Sequence, residues 1–267
     1  MKTNIIYNED CFVTMERMKK GDCDVILTSP FYNTNKKAGK HLTLQNAKPV
    51  GSGRREWVRY DVHVDNMTND EYNEYTSRLF NKFDEVLSEN GCVLYNISYG
   101  TENTEGMFRA VNSIITQTNF TIADVICWKK SNALPNNCSP NKLTRIWEFV
   151  FVFCRRNEFG TFFMNKRVTS TRHTGQKMFE NIYNFIEAKN NDGKCPYNKA
   201  TYSSDLCEQL LSLYATQNAT VYDPFMGSGT TAVACKRLGM NYIGSEISKN
   251  QCEFAEKRIE VIQCKNT

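Results

Sequence analysis

Two short segments hold the residue types that could do chemistry in this chain. The first is Asp223-Pro224-Phe225-Met226-Gly227-Ser228-Gly229-Thr230-Thr231-Ala232, which follows an apolar run and opens a helical pattern. A glycine at each of two turn positions lets the backbone bend sharply and approach a ligand where a Cβ would collide. At the end of the next apolar run stands Glu246, a carboxylate able to accept hydrogen bonds from both ribose hydroxyls of an adenosine-containing ligand. No lysine follows the second glycine, so this is not the phosphate loop of nucleotide hydrolases. Asp223, directly ahead of the loop, would repel a pyrophosphate and suits a cationic or zwitterionic ligand. The second segment is Thr28-Ser29-Pro30-Phe31-Tyr32-Asn33, where Pro30 cannot continue a strand and so leaves its carboxyl end open. It packs a hydroxyl, a rigid carbonyl and an aromatic ring into four residues.

Such groups must be held by a frame, and the frame is legible. The runs Asn4–Tyr7, Val25–Ser29, Cys92–Ser98, Asp124–Trp128, Glu148–Cys154, Ala219–Asp223 and Asn241–Glu246 are apolar, β-branched or aromatic. They read as strands buried on both faces, the pattern of a parallel sheet. Helical stripes lie between them. Tyr72, Tyr75, Leu79, Phe83 and Val86 form one, with Asn69 as its cap and Gly91 as its stop. Leu206, Leu210, Leu213 and Tyr214 form another after Ser203-Ser204, and Ser248 to Gln251 reads as a capping box before Cys252, Ala255 and Ile259. Strands alternating with helices predict an α/β, doubly wound, Rossmann-like sheet. Ligands of such sheets sit at the carboxyl edge, where both segments fall.

Composition sets the outer limits. The 267 residues are 40% hydrophobic and 23% charged, an ordinary globular chain rather than a disordered or collagen-like one. No run is apolar enough to span a membrane, and the start lacks a signal peptide, so the expected location is the cytoplasm. Eleven cysteines without a C-x-x-C pair predict small buried hydrophobes rather than disulfides or zinc ligands. His41, His63 and His173 share no ligand spacing, so no metal is implied. The net charge of +4 says little, but its distribution says more. Lys36, Lys37, Lys40, Lys48, Arg54, Arg55 and Arg59 crowd one stretch, and a second from Arg155 onward holds Arg167 and Arg172. Residues 34–60 and 155–194 break the strand and helix rhythm, which predicts one domain over 1–267 with two basic inserts able to track a phosphate backbone.

Together the two segments resemble the amino-methyltransferases of DNA, whose motifs read Asp/Ser-Pro-Pro-Tyr/Phe and Asp-Pro-Phe-x-Gly-x-Gly. Their order here, near residues 29 and 225, is similar to the permuted β-type arrangement of that family. Tyr7-Asn8-Glu9-Asp10-Cys11, the helix ending Glu85 to Gly91, Trp128-Lys129-Lys130 and Glu148 to Phe153 resemble further segments of it. Two positions depart: Phe31 stands at the second proline, and Cys195-Pro196 replaces a His-Pro pair.

The resemblance implies S-adenosylmethionine as cofactor, held by Asp10, Cys11, Asp223, Phe225, Gly227, Gly229, Thr230, Thr231 and Glu246. It implies a catalytic set of Ser29, Pro30, Phe31 and Tyr32. An exocyclic amine is a poor nucleophile because its lone pair is delocalised. Ser29 Oγ and the Pro30 carbonyl gripping its hydrogens would free that pair, with Tyr32 stacking on a base flipped from the duplex. Ser rather than Asp at the first motif position favours N4 of cytosine, since a neutral hydroxyl can accept from the amine and also donate to ring N3. N6 of adenine is the alternative. No proline precedes a cysteine, which argues against carbon methylation. Lys36, Lys37, Arg54, Arg55, Arg167 and Arg172 are the expected contacts to double-stranded DNA, the second insert being the target-recognition segment. A bacterial or phage source, a cognate restriction endonuclease and a monomer or homodimer complete the implied picture. A nicotinamide-dependent oxidoreductase would explain the glycine loop but leave Ser29 to Tyr32 idle, and a catalytically silent nucleic-acid binder is the other competing reading.

Overall fold

The computed structural model describes residues 1–33, 67–100, 103–133, 135, 140–193, 195–198 and 201–262. The basic stretch with Lys36, Lys37, Arg54 and Arg55 lies outside these residues. Its centre is one eight-stranded sheet. In chain order the strands are β1 (Ile5–Tyr7), β2 (Cys23–Thr28), β3 (Leu87–Ile97), β4 (Phe120–Lys130), β5 (Trp147–Arg155), β8 (Phe185–Ala188), β9 (Thr220–Asp223) and β10 (Asn241–Ser245). A separate hairpin is formed by β6 (Val168–Thr171) and β7 (Lys177–Phe179). The spatial order is β1-β10-β9-β2-β3-β5-β4-β8.

All seven predicted strands are present, but the sheet is mixed. β5 runs antiparallel to both β3 and β4. A strand buried on both faces has the same apolar pattern in either direction, so the periodicity could not reveal this. Helices cover both faces. α1 (Cys11–Arg17), α2 (Asn69–Val86) and α3 (Gly106–Gln117) close one core, around Phe80, Phe83, Tyr95 and Phe153. α4 (Ser204–Tyr214), α5 (Thr230–Leu238) and α6 (Lys249–Glu260) close the other, around Leu94, Leu210, Val221 and Ala234.

Local chemistry explains the boundaries. α2 is capped by Thr68 rather than Asn69: Thr68 Oγ1 accepts from Glu71 N while the Glu71 carboxylate accepts from Thr68 N, a reciprocal box. α2 passes straight into β3 at Leu87, so Gly91 is a strand residue and not a stop. A Cβ there would stand 2.6 Å from the Asp24 carbonyl. At α6 the Ser248 half of the box forms, with Oγ accepting from Gln251 N. The Gln251 side chain instead accepts from Asn198 Nδ2 at 2.9 Å.

The second insert is smaller than the sequence suggests. Arg155 is the last residue of β5, with its side chain buried, and β8 joins the main sheet beside β4. What projects is the β6–β7 hairpin, leaving from Asn165, whose N donates to Leu213 O at the end of α4, and returning at Asn184 beside Val125. Apart from Cys127, the cysteines among the described residues are buried. No helix among the described residues is long and apolar enough to cross a membrane.

Candidate active site

The chain turns in opposite directions from β9 and β2, which lie side by side. β9 leads through α5 to β10 on one flank, and β2 leads through α2 to β3 on the other. That switch point opens a crevice at the carboxyl ends of the two strands. Both chemically equipped segments emerge there. Thr28 Oγ1 donates to Asp223 Oδ1 at 2.8 Å across the strand pair, and Phe31 meets Phe225 edge to face at 6.1 Å between ring centres.

The glycine loop is built from within. Asp223 is fully buried and accepts from Thr28, from Thr231 Oγ1 at 2.5 Å, from Tyr202 at 3.3 Å and from Phe225 N at 3.0 Å. Burial pushes its carboxyl up to about 6 while these four donors pull it down. Asp223 therefore braces the loop, and the sequence expectation of a charge facing the ligand gives way to an internal role. Thr231 serves the same network, and Thr230 faces Arg258, whose Nη1 also reaches Ser228 O at 2.8 Å. Both threonines are buried. Gly229 has φ +80°, and a Cβ on it would stand 2.7 Å from Ala255 Cβ, so this glycine admits α6 rather than a ligand. Gly227, at φ +54°, faces Asn198 and Gln251.

Gly227 N donates to Glu246 Oε2 and Ser248 N to Glu246 Oε1, each at 2.8 Å. This holds the carboxylate at the mouth of the turn. Asp10 caps α1 by accepting from Phe12 N at 2.8 Å, and Glu246 N bonds to Tyr7 O, which brings the start of α1 near the same edge. Cys11 is buried, its thiol pushed up to about 12 by burial, so its side chain is a packing group. A fixed carboxylate, the apolar Phe225 and a tight backbone turn whose neighbouring cation, Arg258, is already held by Ser228 O and Asp192 Oδ2 fit an uncharged ribose and adenine better than a phosphate. S-adenosylmethionine matches that donor set.

Ser29 begins a second network. Its Oγ lies 3.1 Å from the Tyr32 hydroxyl, which has two acceptors in reach for its one proton, Asn96 Oδ1 at 2.9 Å and Glu148 Oε2 at 3.0 Å. Asn96 Nδ2 in turn donates to Phe149 O at 3.0 Å, and Lys130 Nζ donates to Glu148 Oε1 at 2.5 Å. Phe31 is buried among Tyr72, Tyr75 and Phe225, and its carbonyl accepts from the Tyr72 hydroxyl at 2.6 Å. Aromatic packing thus anchors the turn where the related pattern has a second proline. Pro30 is buried beside it.

Asn96, Lys130, Glu148, Asn198, Tyr202 and Gln251 were given no role in the site by the sequence, although Lys130 and Glu148 fall in family-like segments and Gln251 in the capping box. The available signal for two of them was a polar residue inside an apolar strand run: Asn96 in Cys92–Ser98 and Glu148 at the head of β5. Arg167 and Arg172 stand exposed on the β6–β7 hairpin, at the β8 flank of the sheet and apart from Ser29 in strand order.

A family described as DNA methylase, covering N6 and N4 amino-methylases, matches residues 23–257. The chain is 26% identical over 258 residues to the type II methyltransferase M2.DpnII of Streptococcus pneumoniae, covering 96% of this chain and 89% of that one. It is similar in structure to the PvuII DNA methyltransferase, described as cytosine-N4-specific, with a TM-score of 0.69, 15% identity and coverage of 97% and 86%. It also resembles M1.HpyAVI in complex with S-adenosylmethionine, with a TM-score of 0.62, 22% identity and coverage of 96% and 98%. With the family match spanning nearly the whole chain, and a site whose donors suit the cofactor, the protein belongs to the N6/N4 DNA methylase family and is an S-adenosylmethionine-dependent DNA amino-methyltransferase.

Proposed function

We propose that this enzyme methylates the exocyclic amine of a base flipped from double-stranded DNA, with Ser29 and the Pro30 carbonyl gripping the amine and Tyr32 stacking on the base. The observation that carries this reading is the placement of Ser29 and the glycine loop on adjacent strands of the switch point, joined by the bond from Thr28 to Asp223. Glu246 and the Gly227 turn hold the ribose. Asp10 lies beside the adenine, and Phe225 forms the wall shared by cofactor and base. Bound S-adenosylmethionine supplies a methyl already activated by its sulfonium, so the protein contributes mainly position and the two acceptors. Arg167 and Arg172 on the hairpin meet the DNA backbone, as do Lys36, Lys37, Arg54 and Arg55. The enzyme works in the cytoplasm of a bacterium beside a cognate endonuclease.

On residue type the base is cytosine, at N4, because a serine opens the motif. N6 of adenine is the second reading, and one observation favours it: the Ser29 hydroxyl lies 3.1 Å from the Tyr32 hydroxyl, and with Ser29 as the donor of that pair it has no proton left for cytosine N3. Mass spectrometry of nucleosides from DNA incubated with the enzyme and isotopically labelled S-adenosylmethionine tests both. Label in N4-methylcytosine supports the first, and label in N6-methyladenine keeps the chemistry and changes the base. Label in neither, on mixed-sequence duplex DNA, overturns the proposal.

A further inference from the structure

We infer that the proton lost by the target amine travels from Ser29 through Tyr32 to Glu148, and that Asn96 and Lys130 fix the direction of this chain. The inference rests on Ser29 being the group that meets the amine. Methyl transfer leaves the amine nitrogen positively charged until it sheds a proton, and a serine hydroxyl has no capacity to keep one. A carboxylate two hydrogen bonds behind it does.

The direction follows from which partners lack protons. A carboxylate only accepts, and Glu148 takes its other bond from Lys130 Nζ. Asn96 spends its amide nitrogen on the Phe149 carbonyl, which turns its oxygen toward Tyr32. A flipped amide would set two carbonyl oxygens against each other. Tyr32 therefore has an acceptor at 2.9 Å and another at 3.0 Å, and its single proton goes to one of them. Toward Ser29 the phenol then offers only lone pairs, so the Ser29 proton must point at Tyr32, 3.1 Å away. Ser29 is left facing the crevice as an acceptor, as a carboxylate would be. Hence Ser in place of Asp does not by itself select cytosine.

The step balances without a further reactant. The amine lone pair forms the new N–C bond as the methyl leaves sulfur with its bonding pair. The N–H bonding pair returns to nitrogen as its proton moves to Ser29 Oγ. The original Ser29 proton passes to the Tyr32 oxygen, and the original Tyr32 proton passes to Glu148 Oε2. The products are the N-methylated base, S-adenosylhomocysteine and a protonated Glu148. Glu148 acts through Tyr32, so it is a positioning residue and not a catalytic one.

Single-turnover methyl transfer and binding of S-adenosylhomocysteine and duplex DNA, measured on Ser29→Ala, Tyr32→Phe, Glu148→Gln and the Tyr32→Phe/Glu148→Gln pair, test this. Tyr32→Phe keeps the ring for stacking and removes only the hydroxyl. The expected result is a loss of about a hundredfold in the transfer rate for each of the two relay variants. Both affinities should stay within about twofold, and the double variant should be no slower than the worse single one, since both cut one chain. Formate should restore part of the rate to Glu148→Ala but not to Tyr32→Phe. Full rates in Tyr32→Phe and Glu148→Gln alongside a dead Ser29→Ala would overturn the relay while leaving Ser29 in place. An active Ser29→Ala would overturn the proposed function itself. If Glu148→Gln fails to bind S-adenosylhomocysteine, Tyr32→Phe decides alone: a full rate refutes the relay, and a loss with intact binding supports it.

Discussion

Asp223 was legible as a residue type at a telling place, yet its task depended on neighbours that no spacing could name. Tyr202 lies in the segment ahead of α4, Thr231 within α5 and Thr28 at the end of β2, and all three turn their hydroxyls onto one buried carboxylate. Its carboxyl is lifted by burial from 3.8 to about 6. Between those values the folded protein holds a proton that the unfolded chain has released. This group's contribution to stability is therefore full below 3.8 and is lost as pH rises through about 6. The melting temperature of the wild type minus that of Asp223→Asn should accordingly fall between pH 4 and pH 7, by the equivalent of roughly 2–3 kcal/mol. Thermal unfolding at a series of pH values checks this, and a difference that stays flat would show the carboxyl to be unperturbed.

At the scale of elements, the junction of α2, β3 and β5 is held by one cation. Arg155 closes β5 and donates to the Asp84 carboxylate, to Glu158 Oε2 at 3.2 Å, and to the carbonyls of Leu87 and Ser88, each at 2.8 Å. These carbonyls belong to the point where helix passes into strand without a loop, so they need a donor from elsewhere. Basic residues after β5 had suggested DNA contact, and the structure assigns the first of them to the interior. Arg155→Ala should cost about 3–5 kcal/mol, because it strands two carboxylates and several buried carbonyls. Arg155→Lys should recover only part, having one nitrogen where the guanidinium has three. Urea unfolding of both variants measures the difference, and a loss under about 1 kcal/mol for the alanine form would contradict the assignment.

Across the whole molecule, the Gly227 turn and the Ser29 turn share the centre of the carboxyl edge, while the basic hairpin leaves from the β8 flank. A duplex bound at the crevice must extend to that flank for the hairpin to touch it. If Arg167 and Arg172 each neutralise a phosphate, replacing both with alanine should reduce the slope of log affinity against log salt by about 2. Methyl transfer at saturating DNA should be unchanged. Fluorescence anisotropy with a labelled duplex between low and moderate salt reads the slope, and an unaltered value returns the hairpin to plain surface.

The amino-acid sequence by itself determined the strand runs, the two turns, their order and hence the family, because each is a local pattern in which a residue constrains its chain neighbours. Pro30 ends a strand and Gly227 bends one whatever lies beyond them. Only the tertiary structure decided that β5 runs antiparallel between β3 and β4, and which polar side chains meet. Tyr32 bonds to Asn96 and Glu148 across 64 and 116 residues of chain. Those partners lie on neighbouring strands, and Lys130 joins them from the strand beyond. Hydrogen bonds act over about 3 Å of space, irrespective of separation along the chain, so the direction of the proton in this network is a property of the sheet and not of any motif.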